Sequence, residues 1–497
     1  MGLIHANYRH EPALNFVRTA VTVNNNEIIQ HGGCLGLGLI GMATCDMHIF
    51  ELLKSILYQD SANSGEAASY AMGLIMLGSG SEVAIQEMIA YAHETQHEKI
   101  IRALGLGLAL VMYGRQEEAD GLITQLLSDK DAILRYGGIY TMATAYVGTA
   151  NGKIVKKLLH IAVSDVDYDV RKAAVTSIGF ILYKMPEMVP KTVALLAESY
   201  NPYVRQGAAM AIGIACAGKV IPEALNILEP LLQDNTNFVR QAAFLALSMV
   251  MMQANKQMAP KVEKLRENIE KVINEKHHDV LTKMGAIVSL GILEAGGRNV
   301  VISLESRTGN NRAAATVGIL LGIHFWYWFP LLHIFSLSFS PACMIGVNSD
   351  LRMPKSFEIM SRAKPSAYAY PPKQEPPSNE KSTRLSTTVL STTNRAKARA
   401  GQLKRPVSSI SSVSMDIEEE KKEEEKKEPP PKEEPEPEEE VLKNPARVLE
   451  PQQAVIEFIG ENRYAPVVPR KSGILLLRDT TPEAPEEFIG NIKTLPS

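Results

Sequence analysis

Along roughly the first 320 residues, apolar positions recur every three to four residues in runs broken by short polar stretches. That period belongs to helices with one buried face. The breaks read "SDKDAIL", "SDVDYDV", "ESYNPYV" and "QDNTNFV", and their Asp, Asn, Ser and Pro residues cap helices and favour turns. Ahead of each break lies an amphipathic run such as "GKIVKKLLHIAV" or "IPEALNILEPLL"; behind it comes a second run, richer in small residues. The unit is therefore helix, turn, helix.

The unit repeats. "DYDVRKAAVTSIGF", "NPYVRQGAAMAIGI" and "TNFVRQAAFLALSM" align without gaps, and their arginines, Arg171, Arg205 and Arg240, are 34 and 35 residues apart. Eight residues after each stands a small residue, Gly179, Gly213 or Ser248. The same slot falls at Gly38, Gly73, Gly107 and Ala143 upstream and, after a longer insertion, at Gly291; a weaker copy puts Gly322 there. A pair of helices of this length cannot bury its own apolar faces and must stack on its neighbours, which predicts an α-solenoid. A glycine inside a helix costs about 1 kcal/mol relative to alanine, and close backbone approach between helices offsets that cost. Gly38, Gly73, Gly107, Gly179, Gly213 and Gly291 are accordingly expected to be packing anchors in a curved or toroidal array. "MGLIHAN" matches "MGLIMLG" at 72–78, which places Gly2 in the anchor slot and suggests an N-terminally truncated form whose first repeat is incomplete.

Past residue 322 the pattern changes. "FWYWFPLLHIF" (325–335) lies in a stretch without Asp, Glu, Lys or Arg between Arg312 and Asp350. Its length suits a membrane span, but His324, His333, Pro330 and alternating serines count against one. Alternation favours a buried β segment sealing the end of the solenoid. From about Lys364 the chain turns to Pro, Ser, Thr, Lys and Glu. "RAKARAGQLKRP" suits a nuclear-import signal or a solvated linker, and "DIEEEKKEEEKKEPPPKEEPEPEEE", with 14 acids against 5 lysines, is expected to be disordered. "AVIEFI" and "GILLLRD" read as strands able to pair with the aromatic segment. The expected organisation is a solenoid over 1–322, an aromatic β-rich segment over 323–360, a disordered insertion over 361–440, a β segment over 441–480 and a flexible tail over 481–497. In that tail Phe488 stands as a lone aromatic, which reads equally as a docking anchor and as an unused exposed side chain.

Composition adds limits. At 45% apolar residues a large core is available, and the net charge of −3 hides a basic block followed by an acidic one. Four scattered cysteines, with no CxxC spacing, argue against a disulfide framework or a thiolate zinc site. The N-terminus lacks the apolar stretch of a signal peptide. "HETQH" (93–97) matches the HExxH zinc-peptidase pattern, but the repeat frame puts His93 at a turn, where the two histidines would not share a helical face. "GLGLIG" (Gly36, Gly38, Gly41) lacks the preceding strand that a dinucleotide fingerprint needs, and His277, His278 and Asp279 fall on another inter-helix turn. No catalytic, cofactor-binding or metal-binding residue is expected.

The glycine-anchored helix pairs, "NEKHHDVLTKMGAIVSLGILEAGGRNV", "FWYWFPLLHIFSLSFSPACMIG", the Lys/Glu insertion and "NPARV" together resemble the larger non-ATPase scaffold subunit of the proteasome regulatory particle, a family built from proteasome/cyclosome repeats. The resemblance implies a toroid of helix pairs without catalytic residues or cofactor. It implies a cytoplasmic and nuclear scaffold that holds ATPase, lid and ubiquitin-receptor components in a hetero-oligomeric complex, with no nucleic acid and no membrane. It further implies receptor docking near the C-terminus through a Pro-Glu-Pro-Phe type motif. The matching residues are Pro485, Glu486, Glu487 and Phe488, with Glu487 in place of the second proline. The other readings are a generic α-solenoid adaptor, for instance in transport, and an HExxH zinc peptidase.

Overall fold

The computed structural model describes residues 1–23, 26–324, 331–373, 436–459 and 463–489. Residues 1–372 and 437–497 form one compact unit, and Lys373–Glu436 form a second. The first unit opens with helix pairs: α1 (Glu11–Val23) with α2 (Glu27–Ile40), α3 (Met47–Leu57) with α4 (Ala62–Ile75), α5 (Glu82–Glu94) with α6 (Glu98–Val111), and α7 (Asp120–Leu127) with α8 (Ala132–Ala145). Then come α9 (Gly152–Ser164) with α10 (Tyr168–Leu182), α11 (Met188–Ala197) with α12 (Pro202–Ala215), α13 (Pro222–Leu231) with α14 (Asn237–Val250), and α15 (Lys261–Asn274) with α16 (Val280–Leu293). Each even helix packs on the even helices before and after it, and each odd helix packs on its even partner. The even helices therefore form an inner layer, and those from α4 to α14 are buried nearly all round, which explains why their sequences are apolar on every face.

Polar turn residues start these helices as their chemistry requires. Asn26, Asp46, Asp131, Asn151, Asp167, Asn201 and Asp279 each accept a backbone N–H of the following first turn. The anchor glycines do what their cost demanded. A Cβ on Gly38 would lie 2.7 Å from the Ala71 Cα, one on Gly179 2.6 Å from the Ala211 carbonyl oxygen, and one on Gly213 2.8 Å from the Ala246 Cα. Gly291 is the exception: it is exposed and nothing lies within 4 Å of its Cβ position. On α16 it is Gly285 that meets a neighbour, 2.8 Å from the Gln241 Cα. The slot at 291 faces away from α14, and among the described residues no further inner helix covers it.

The inner layer has two different edges. Along the edge formed by the C-terminal ends of the inner helices lies a row of residues with positive φ: Asn7 ahead of α1, then Ala43, Gly78, Gly114, Gly148 and Gly218 after α2, α4, α6, α8 and α12. The N–H of each donates to a carbonyl near the end of the next inner helix, at Leu39, Leu74, Leu110, Thr144, Phe180 and Met249, over 2.8–3.1 Å. Terminal carbonyls that a helix leaves unpaired are thus satisfied by the neighbouring repeat. At the opposite ends, the repeat arginines clamp the turns. Arg135 makes a two-point pair with Asp165, Arg205 does the same with Asp234, and Arg240 reaches Asp279 at 2.6 Å.

After α16 the chain returns along this stack. Helix α17 (Ala313–Gly322) is buried throughout from Ala315 onward. The described end of the aromatic run is helical rather than extended: α18 (Leu331–Ile334) leads into a 3-10 turn over Phe335–Ser338. Among the described residues of 323–360, strand structure starts only at Phe339. The reason lies in Gly318 and Gly322, whose missing side chains admit Leu337, Ser338 and Phe335. The described end of the run, from Leu331, is thus packed as a helical return against α17. Trp326, Trp328 and Pro330 lie outside the described residues.

The strands follow: β1 (Val300–Ile302) pairs with β2 (Phe339–Pro341). A four-stranded sheet has the order β6 (Ala446–Arg447), β3 (Cys343–Val347), β9 (Gly473–Asp479), β8 (Tyr464–Pro466), and a three-stranded one the order β5 (Glu440–Lys443), β4 (Glu358–Ser361), β7 (Ile456–Phe458). "GILLLRD" therefore meets "MIGV" at 344–347, in parallel, with β8 on its other side. Met344, Phe357, Ile359, Ile456, Tyr464, Leu475 and Leu477 form the module's own core. The described residues extend to 373 and start again at 436; the greater part of the expected disordered insertion, 374–435, lies outside them.

Candidate interaction surfaces

The motifs that invite a catalytic reading are dispersed by the fold. His93 sits in the last turn of α5, slightly earlier than the turn expected for it, and His97 is the N-cap of α6. Thr95 between them is extended, so the two imidazoles do not share a helical face. They face different carboxylates, Asp129 at 3.6 Å and Asp60 at 3.8 Å. Gly36, Gly38 and Gly41 belong to α2 and its cap, with no strand before them. His278 pairs with Glu275, and Asp279 caps α16 and receives Arg240. Among the described residues no group of His, Cys, Asp and Glu is arranged to hold a metal ion.

The expected docking residues are held in the module. The Lys355 N–H donates to the Glu487 carbonyl, the Ile489 N–H to that of Met353, and Pro354 and Phe488 form a bridge. Arg463 donates to the carbonyls of Ala484 and Pro485 and pairs with both Glu486 and Asp479 at 3.0 Å. Ser356 donates to Glu486, and the Arg352 guanidinium lies 5.6 Å from the Phe488 ring centre. The segment expected to be a flexible tail is thus held, up to Ile489, by one β-bridge and the Arg463 contacts, with Phe488 half buried; residues 490–497 lie outside the described residues.

Two features escaped the pattern-based reading. One is a polar cluster inside the stack. The Arg102 guanidinium pairs with Asp169 at 3.5 Å and lies 4.9 Å from the Tyr136 ring centre. Burial drives the His324 pKa down to about 3, so its imidazole is neutral. Nδ1 donates to the Leu320 carbonyl, and Nε2 accepts the Tyr136 hydroxyl. Burial pushes the neighbouring Glu66 carboxyl up to about 7, and its Oε2 has no hydrogen-bond partner. A charged residue inside an all-apolar run, as in "RALGLGLAL", was the available signal.

The second is the seam between module and repeats. Arg447 of "NPARV" donates to Gln253 and to the Tyr368 carbonyl and stacks over Tyr370. Asn255 donates to the carbonyls of Ser366, Ala367 and Ala369. Asn444 crosses the strands, bonded to both backbone groups of Gly346. A cleft of about 850 Å³ beside this seam is lined by Lys219, Glu305, Arg307, Arg312 and Glu450; these groups form no nucleophile–base pair. The geometry throughout is that of a stack whose far end is locked by a β module.

Comparison with known proteins accounts for this arrangement. The model for the 26S proteasome regulatory subunit RPN2 C-terminal domain matches residues 342–489, which takes in the module and the Phe488 segment. Models for the proteasome/cyclosome repeat match 32–66 and 67–101, and one for HEAT repeats matches 155–248. The 26S proteasome non-ATPase regulatory subunit 1 homolog A of Arabidopsis thaliana is 48% identical over 505 residues, which cover 98% of this chain and 50% of that protein. The regulatory subunit rpn2 of Schizosaccharomyces pombe is 46% identical over 98% of this chain and 52% of its own length. The non-ATPase regulatory subunit 1 of Drosophila melanogaster is 51% identical over 84% and 41%. The chain spans about half the length of the curated relatives it matches. With repeats, module and seam all matched in one order, the chain belongs to the family of 26S proteasome non-ATPase regulatory subunit 1, also called regulatory subunit Rpn2.

Proposed function

We propose that this chain is a non-catalytic scaffold of the proteasome regulatory particle. In this reading it organises ATPase, lid and ubiquitin-receptor components for ubiquitin-dependent degradation, in cytoplasm and nucleus. The observation that carries the reading is the co-linear match over 98% of the chain to proteins named as regulatory subunits of that particle. The chemistry agrees: the polar side chains named above are spent on caps, clamps and the seam, and a scaffold works through surfaces of that kind. Receptor docking through Pro485, Glu486, Glu487 and Phe488 requires the segment to leave its place beside Met353–Ser356.

The test is purification of the tagged chain from cells, followed by identification of its co-purifying subunits. Recovery of proteasomal ATPases and lid subunits in fixed ratio is expected. An eluate holding the chain without them, or with transport factors in their place, overturns the scaffold reading in favour of a generic adaptor.

A further inference from the structure

The arginine clamps have a side effect on the outer surface. Arg240 reaches the Asp234 carbonyl, six positions back. In three other clamped turns the arginine donates to the carbonyl of the residue five positions before it: Lys130 from Arg135, Val166 from Arg171, Tyr200 from Arg205. With that carbonyl held inward, the side chain points out. The position is the polar Lys130 in one repeat and Asn235 in another, both exposed. In the two consecutive repeats between them it carries Val166 and Tyr200, which are 89% and 100% exposed.

These two residues are not alone. Tyr168, half exposed, stacks on Tyr203 with ring centres 4.3 Å apart, joining the two turns. Val163 at the end of α9 and Leu195 at the end of α11 are also exposed. Large apolar groups displayed together by a rigid frame mark an interaction site rather than incidental exposure.

Charge decides the partner. Helix α9 contains no Asp or Glu, and its Lys153, Lys156, Lys157 and His160 follow the three-and-four spacing of one exposed face that runs down to Val163. Helix α11 also lacks acids and exposes Lys191. The flanking outer helices differ: α7 starts with Asp120, and α13 holds Glu223 and Glu229. Of the carboxylates beside the patch, Asp165 is taken by Arg135 and Asp167 caps α10, while Glu198 remains exposed. We propose that the outer surface of the α9–α12 repeats, centred on Val166 and Tyr200 and bordered by Lys153, Lys156 and Lys157, docks an acidic amphipathic helix of a partner protein. Its apolar stripe covers the displayed side chains and its carboxylates face the lysines, the mode of recognition in which a helix lies on a complementary surface.

The test uses the full chain and three synthetic helical peptides of equal length. One has a leucine stripe with glutamates on the remaining face, one the same stripe with lysines, and one the glutamates with serines replacing the leucines. The first peptide is expected to bind, with affinity falling as salt rises. Lys156→Glu together with Lys157→Glu, or Tyr200→Ser alone, should weaken it at least about tenfold. All three residues are exposed, so the fold is not at stake; unchanged circular dichroism checks this. A benzoylphenylalanine in place of Tyr200 should crosslink to the first peptide and not to the second. Equal binding of the lysine peptide, binding unaffected by either variant, or concentration-dependent self-association that Tyr200→Ser abolishes overturns the proposal, the last because it makes a second copy the occupant.

Discussion

Gly73 and Gly107 are in backbone contact: a Cβ on Gly73 would fall 2.5 Å from the Gly107 Cα. Nothing there is a flexible side chain that could move aside. Gly73→Ala should therefore lower the stability of the unit by about 1–3 kcal/mol despite alanine's better helix propensity. At exposed Gly291 the same change meets open space and should stabilise by about 0.5–1 kcal/mol. Thermal unfolding of the two variants side by side checks the contrast; equal shifts would remove the anchor argument.

Asp279 gives the clamp edge an acid limit. Burial works to raise its pKa, but the bonds from Thr282 and Arg240 outweigh that and hold it at about 2. A carboxylate depressed on folding adds stability above its unfolded pKa near 3.8, and that stability disappears as pH falls through 2. Asp279→Asn should cost about 1–2 kcal/mol at pH 6, discounted for partial exposure, and much less at pH 2. Urea unfolding at the two pH values is the measurement.

Glu66 works in the opposite direction. Its folded pKa is raised to about 7 by burial, so the protonated form is the one the fold prefers. Its contribution is fully present below pH 4.5 and is lost as pH rises through 7. Glu66→Gln should raise the melting temperature at pH 8, by the equivalent of about 1–3 kcal/mol, and change little at pH 4.5. A destabilised variant at pH 8 would show that the carboxylate is needed in its ionised form.

Arg463→Ala removes the donor shared by Ala484, Pro485, Glu486 and Asp479. The 484–489 segment should then exchange amide hydrogens and be cut by protease faster than in the parent, with the repeats unchanged. The variant also separates two accounts of the C-terminus. A ubiquitin receptor that binds the released segment gains affinity in Arg463→Ala, whereas one that binds elsewhere is unaffected.

The repeats were legible because one small-residue slot and one arginine recur in a fixed frame, and each repetition corroborates the last. The expected anchor failed at Gly291, where the frame persists but the neighbour does not; periodicity reports a helix face, not what covers it. At the described end of "FWYWFPLLHIF" the strand expectation failed, because alternation within a short apolar run cannot separate a strand from a buried helix. What settled that end was space left by Gly318 and Gly322, which no local pattern announces. The Phe488 segment looked free for a similar reason: its partners, Met353–Lys355 and Arg463, are distant or polar, and edge pairing uses backbone groups that every residue carries.

The two edges of the inner layer also differ in compliance. One is stitched by backbone bonds that tolerate only a few tenths of an ångström of stretch, whereas the other is held by arginine side chains with several rotatable bonds. A load on the stack should accordingly open it like a fan, splaying the arginine edge while the glycine-turn edge acts as the spine. Among the described residues the spine lacks its stitch between α14 and α16 and, in mid-stack, between α10 and α12. There Tyr183 and Lys184 instead bond Asn311 and Gly309 of the returning chain, so bending at that point tugs directly on the segment that leads into α17.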